Sequence, residues 1–171
     1  MSGHFTFGDD IPGEPAREKL LLTVEMVPEP LWERNLRKIL SRSEWDRLRK
    51  MAYRRADYRC EVCGASGVDQ GFNWPVECHE VWHYDDATHV QRLDRLIALC
   101  PLCHQVKHIG RVSATEGPSG VARCLNHLKK VNGWSDEEVT SHVEEVTSSW
   151  RYRSGWSDWK QDLSVMKSGS Y

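Results

Sequence analysis

Leu99-Cys100-Pro101-Leu102-Cys103-His104-Gln105-Val106-Lys107-His108 is the stretch whose reading decides the fold. Its Cys-x-x-Cys pair matches a second pair upstream, Cys60 and Cys63. Together they offer four thiolates to one tetrahedral zinc, which would staple the two ends of the intervening chain. A structural zinc closes at four ligands, so His104, His108 and the earlier His79 are left for a second, open metal or for catalysis. Pro101 opens a helix that turns Leu102, Val106 and Ile109 inward, and His104 and His108, at i and i+4, share one of its faces.

Working outward, Val76 to Trp82 has strand character, a polar loop covers Tyr84 to Gln91, and Arg95 to Leu99 is a second strand ending on Cys100. Tyr58 to Gly64 reads as the first zinc knuckle, with Gly64 supplying the backbone turn. Upstream, Trp32, Leu36, Ile39 and Leu40 recur at helical spacing, and Ser43 offers the N-cap of a further helix. That helix buries Trp45, Leu48, Met51 and Ala52 and turns Arg47, Arg49, Lys50, Arg54 and Arg55 outward, either as a solvated face or as a phosphate-binding flank. Leu20 to Val24 is a short strand or a helical turn, and Met1 to Pro15 an irregular arm.

Downstream, Pro118 and Ser119 start a helix that stops at Asn132-Gly133, and Ser135 with Glu138 makes a capping box for another. His127 and His142 in these helices read as ordinary histidines, and Trp150, Trp156 and Trp159 as a staple holding the tail to the core. The chain thus divides into an arm over 1–30, a core with its preceding basic helices over 31–112, and a helical tail over 113–171.

The 171 residues suit a single core, and the net charge of −2 with pI near 6.4 hides a local excess of Arg and Lys before the first Cys pair. No apolar run approaches the roughly 20 residues of a membrane helix, and the first residues lack a secretory leader. A cytoplasmic protein without membrane contact is the expectation. In a reducing compartment the paired cysteines imply metal ligation before disulfides. Cys78 and Cys124, outside the pairs, read as small buried hydrophobes.

Cys60-Glu61-Val62-Cys63, Glu77-Cys78-His79-Glu80-Val81 and Leu99 to His108 resemble the HNH endonucleases of the His-Me finger group, in their zinc-ribboned form. The resemblance spans about Trp45 to Gly110. It implies an α+β fold, a zinc-stapled ββα-metal core with flanking helices, and hydrolysis of phosphodiester bonds in DNA with one catalytic Mg2+ or Mn2+ beside the structural Zn2+. Carried over residue by residue, it puts His79, His104 and His108 in the metal-ligand slots and Glu80 in the general-base slot. A frame shifted by one residue makes His79 the base and puts Cys78 in the ligand slot.

Two departures stand out: Glu80 replaces a histidine, and Asp94-Arg95 occupies the place of a central Asn. A carboxylate is ionised at neutral pH and can take a proton from water, although its unperturbed pKa of about 4.3 makes it a weaker base than imidazole. Burial beside Trp82 would raise that value. Lys107, between the two histidines, is either solvated or a phosphate clamp. Two rival readings survive: a non-catalytic zinc-ribbon module that binds nucleic acid, and an adaptor whose C-terminal helices dock a protein partner.

Overall fold

The computed structural model describes residues 20–166, so the expected arm at the amino terminus lies largely outside the described residues. Its architecture is α+β. In chain order the elements are α1 (Leu36–Ile39), α2 (Arg42–Arg55), β1 (Glu77–Asp85), β2 (Val90–Leu99), α3 (Pro101–Lys107), α4 (Ile109–Asn132), α5 (Asp136–Ser154) and β3 (Lys160–Asp162). The sheet order is β1-β2-β3, with β1 antiparallel and β3 parallel to β2, so β1 is an edge strand.

Local chemistry explains most boundaries, and several differ from those expected. The α2 N-cap is Ser41 rather than Ser43: its hydroxyl accepts from Glu44 N while the Glu44 carboxylate accepts from Ser41 N, a reciprocal capping box. Only Leu36–Ile39 of the expected first helix is α-helical, with Asn35 accepting from Lys38 N at its start. β1 and β2 extend further than their apolar runs. Asp85 Oδ1 accepts from Ala87 N and Thr88 N, tightening the expected polar loop into a short turn. Helix α4 runs on from Ile109, but Gly117 (φ 66°, ψ −155°) is non-helical and breaks it into two helical segments, the second starting at Pro118 as expected. Its stop at Gly133 (φ 69°) and the Ser135/Glu138 box opening α5 match expectation.

The sheet separates two apolar clusters. On one face Leu36, Trp45, Leu48 and Ala52 of the basic helices pack on Cys78, Leu93 and Leu96. On the other, Ile97 and Leu99 meet Cys60, Cys100, Cys103, Val106 and the tail residues Cys124, Leu128 and Val139. Because successive strand residues point to opposite faces, Cys78 and Glu80 share the side of α2, while Glu77 and His79 face α3. β1 continues this pattern until a register shift between Val81 and Trp82.

Leu20 to Val24 is neither strand nor helix. The segment runs as an extended strap across the tail helices: Asn132 accepts from Leu22 N and donates to Leu22 O, and His142 Nε2 accepts from Val24 N. Satisfying these backbone groups with side chains lets a strand-like segment lie buried without a sheet partner. At the opposite end, His89 stacks on Trp156 (centroids 3.9 Å apart) and Tyr84 meets Trp159 edge-on, which ties the chain after α5 to the β1–β2 turn.

Candidate metal centres and their cleft

Cys60, Cys63, Cys100 and Cys103 come together with all four sulfurs within 4.8 Å of one another, and none forms a disulfide. Cys63 Sγ and Cys100 Sγ are 3.6 Å apart. Tetrahedral Zn–S bonds of about 2.3 Å separate sulfurs by about 3.8 Å, so the cluster fits a structural zinc. Gly64, at φ 74°, turns the first knuckle, and Glu61 fastens it to β2 through hydrogen bonds to both Ala98 N and Ala98 O. Gly67 passes so close that an added Cβ would lie 2.3 Å from Trp74 O.

Two polar side chains reach the sulfurs. Gln70 Nε2 donates to Cys100 Sγ at 3.3 Å, and His127 Nε2 lies 3.2 Å from Cys103 Sγ. His127 is partly packed and stands outside the two groups that could hold a metal, as read from the sequence, but α4 brings it against the cysteine cluster, where an N–H donor would stabilise a negative sulfur. Hydrogen bonds from Cys103, then Cys60 and Cys63, hold the Cys100 thiol far below its usual range.

His79, His104 and His108 form the second group, one ring nitrogen of each lying within 4.8 Å of the others. Their ring centroids are 5.4 Å (79 to 104), 5.0 Å (79 to 108) and 4.6 Å (104 to 108) apart. His79 comes from β1, His104 from α3, and His108 from the junction of α3 and α4. Desolvation pushes the pKa of His79 down, and together with the neighbouring imidazoles lowers that of His108 to about 3. Both shifts favour the neutral ring, the state in which imidazole is a metal ligand.

Two carboxylates set the ring orientations. Glu25 Oε2 lies 2.7 Å from His79 Nε2, and Glu77 Oε2 2.5 Å from His104 Nδ1. Burial opposes ionisation of Glu25, but the hydrogen bond and charge of His79, followed by Lys107, outweigh it and bring the pKa to about 2. Burial likewise opposes ionisation of Glu77, and the His104 hydrogen bond overcomes it. An ionised carboxylate only accepts, so the contacting ring nitrogens carry the protons. In a neutral ring that leaves the lone pair on Nδ1 of His79 and on Nε2 of His104.

The other expected site residues lie apart. Glu80 faces the α2 side of β1, where its oxygens accept from Leu36 N (2.8 Å) and Trp82 Nε1 (3.2 Å); burial raises its pKa against these donors. Cys78 is buried on the same side. Lys107 is 5% exposed and donates to Glu25 Oε1 and Thr23 Oγ1, both at 2.6 Å. Its ammonium is thus committed to the interior rather than to a bound phosphate. Arg54 is exposed, and Arg55 donates to Leu96 O.

A cleft of about 1560 Å3 runs past the edge of β1 and takes in His79, Glu80, His104 and His108. Its basic residues are Arg34, Arg37, Arg49, Arg111 and Arg153, with neither Arg54 nor Arg55 among them. Glu77 is legible in the sequence, standing two residues before His79 and so on the same strand face. Glu25 is not, since only the path of the strap delivers it. No protein-family model, characterised protein or solved structure matches this chain.

Proposed function

We propose that the protein is a metal-dependent nuclease of the HNH type, hydrolysing phosphodiester bonds in DNA. The observation that carries this reading is the convergence of three imidazoles, two of them oriented by half-buried carboxylates, in an open cleft beside a separate four-cysteine cluster. His79, His104 and His108 would hold a divalent ion, and Cys60, Cys63, Cys100 and Cys103 the structural zinc. Three neutral imidazoles fit Mn2+ or a later first-row ion better than Mg2+, which prefers oxygen ligands. A divalent ion there would stabilise charge on the phosphorane and the leaving oxygen.

Glu80 is the proposed general base. It lines the same cleft around the free edge of β1, and its raised pKa moves it toward the working range of a base. A second assignment is favoured by one contact. Glu25 holds His79 as an orienting carboxylate holds a catalytic imidazole, supplying from the strap what the absent Asn would supply. His79 would then be the base, leaving His104 and His108 as ligands.

Nicking of supercoiled plasmid, with Mn2+ or Mg2+ added to the zinc-loaded protein, tests the proposal. Activity that requires the added ion and is lost in His104→Ala is the expected result. An inert wild-type protein under every divalent ion would return the chain to the class of zinc-ribbon binding modules.

A further inference from the structure

We propose that the cleft binds unpaired nucleotides, so that the substrate is a single strand or a locally melted duplex. This rests on the phosphodiester reading above and specifies its substrate. Trp32 and Trp74 both line the cleft, yet remain 57% and 45% exposed. Neither ring is free to swing. Trp32 Nε1 donates to Val27 O at 2.7 Å, and Trp74 Nε1 to Glu77 Oε1 at 3.0 Å. An indole whose N–H is already bonded is fixed in place with its π face still available.

Trp74 is also tied to the chemistry. The Glu77 carboxylate that anchors its indole orients His104 through its other oxygen. A base stacked on Trp74 would therefore sit one carboxylate away from the imidazole cluster. Phe72 lies 5.9 Å from Trp74, extending the aromatic surface.

Charge fits the same ligand. Arg37 and Arg111 reach the cleft and, among the described residues, form no salt bridge with a carboxylate. Of the carboxylates that line the cleft, Glu25 pairs with His79 and Lys107, Glu77 with His104 and Glu33 with Lys38, while Glu80 accepts two N–H groups and Glu145 also faces the cleft. The volume exceeds the roughly 300–1,000 Å3 of small-molecule sites. Exposed aromatic faces together with guanidinium groups that have no carboxylate partner, Arg37 lying over the Trp45 ring at 5.5 Å, suit a sugar-phosphate chain with its bases splayed out. A duplex stacks its bases internally and would leave both indoles without partners.

The test is fluorescence anisotropy on the full-length zinc-loaded protein without added Mn2+ or Mg2+. The probes are a 20-nucleotide DNA strand, the RNA strand of the same sequence, and the blunt DNA duplex. At least one strand is expected to bind tenfold or more tighter than the duplex, and the two strand arms tell DNA from RNA. Trp74→Ala and Trp32→Ala should each weaken strand binding by roughly five- to hundredfold, the range for loss of one stacking ring, with duplex binding unchanged. Trp74→Phe keeps an aromatic face and should recover most of the loss; near-UV circular dichroism reports whether each variant folds. Equal or tighter duplex binding, or strand binding unchanged in folded Trp32→Ala and Trp74→Ala, overturns the proposal. Tryptophan-dependent strand binding without cleavage removes the nuclease reading alone. Cleavage of duplex without strand preference removes this one alone.

Discussion

Glu25 and His79 stand 54 positions apart in the chain, yet Glu25 Oε2 and His79 Nε2 are 2.7 Å apart in the fold. The same carboxylate takes up the buried ammonium of Lys107 through its other oxygen. One residue on an otherwise irregular strap therefore orients the imidazole cluster and neutralises the nearest buried cation. Replacing it by Gln should lower affinity for the second metal about 10- to 100-fold, the usual effect of losing such a partner. It should also cost on the order of 3 kcal/mol by leaving Lys107 without its counter-charge. Urea unfolding of Glu25→Gln, Lys107→Met and the double variant checks the second part. The double variant should lose less than the sum of the singles; simple additivity would mean the two groups are not coupled.

The four-cysteine cluster joins the first knuckle to the β2–α3 junction, and zinc binding at such sites contributes on the order of 10 kcal/mol to folding. Cys60→Ser and Cys103→Ser should accordingly lose near-UV dichroism and bound zinc together. A variant that keeps its thermal transition after chelation would show that the core holds without the staple.

Ligand and base roles at the second site separate by calorimetry. Titration of Mn2+ into Glu80→Gln should match the wild type while cleavage is abolished, whereas His104→Ala should lose the binding isotherm. His79→Ala decides between the two assignments. Metal affinity equal to wild type would make His79 the base oriented by Glu25.

The strap should detach in acid. Val24 N donates to His142 Nε2, which requires that nitrogen to be unprotonated, and burial lowers the His142 pKa, with Glu145 opposing and Lys107 reinforcing the shift. A histidine depressed in the fold stabilises it fully above the unfolded pKa of about 6.5, and this contribution is lost as pH falls from there toward the folded value. Urea midpoints should drop between pH 7.5 and 5.5 by more in wild type than in His142→Leu. Identical pH slopes would clear His142 of this role.

Salt dependence locates the nucleic-acid path. Arg37→Ala and Arg111→Ala should each flatten the log–log salt slope of strand binding by about 0.7. Arg54→Ala should leave it unchanged, because that side chain does not line the cleft. The reverse result would carry the strand along the outer face of α2 instead.

The sequence by itself determined the α+β class, strands β1 and β2, the helix after Cys100 and the two groups of side chains that could hold a metal. Each rests on short-range rules: a period of two along Glu77 to Trp82, the i, i+4 relation of His104 and His108, and Cys-x-x-Cys spacing. Strand alternation also separates Glu80 from His79, which the family frame alone does not reveal. Tertiary structure alone decided which polar groups complete the sites. Glu25 reaches His79 because Asn132 and His142, more than a hundred residues downstream, satisfy the backbone of the strap. His127 meets Cys103 because α4 packs across the thiolate cluster. Lys107 turns inward because a carboxylate from that same strap waits there. Local periodicity carries no record of such pairings, since their geometry is set by how whole elements share one core.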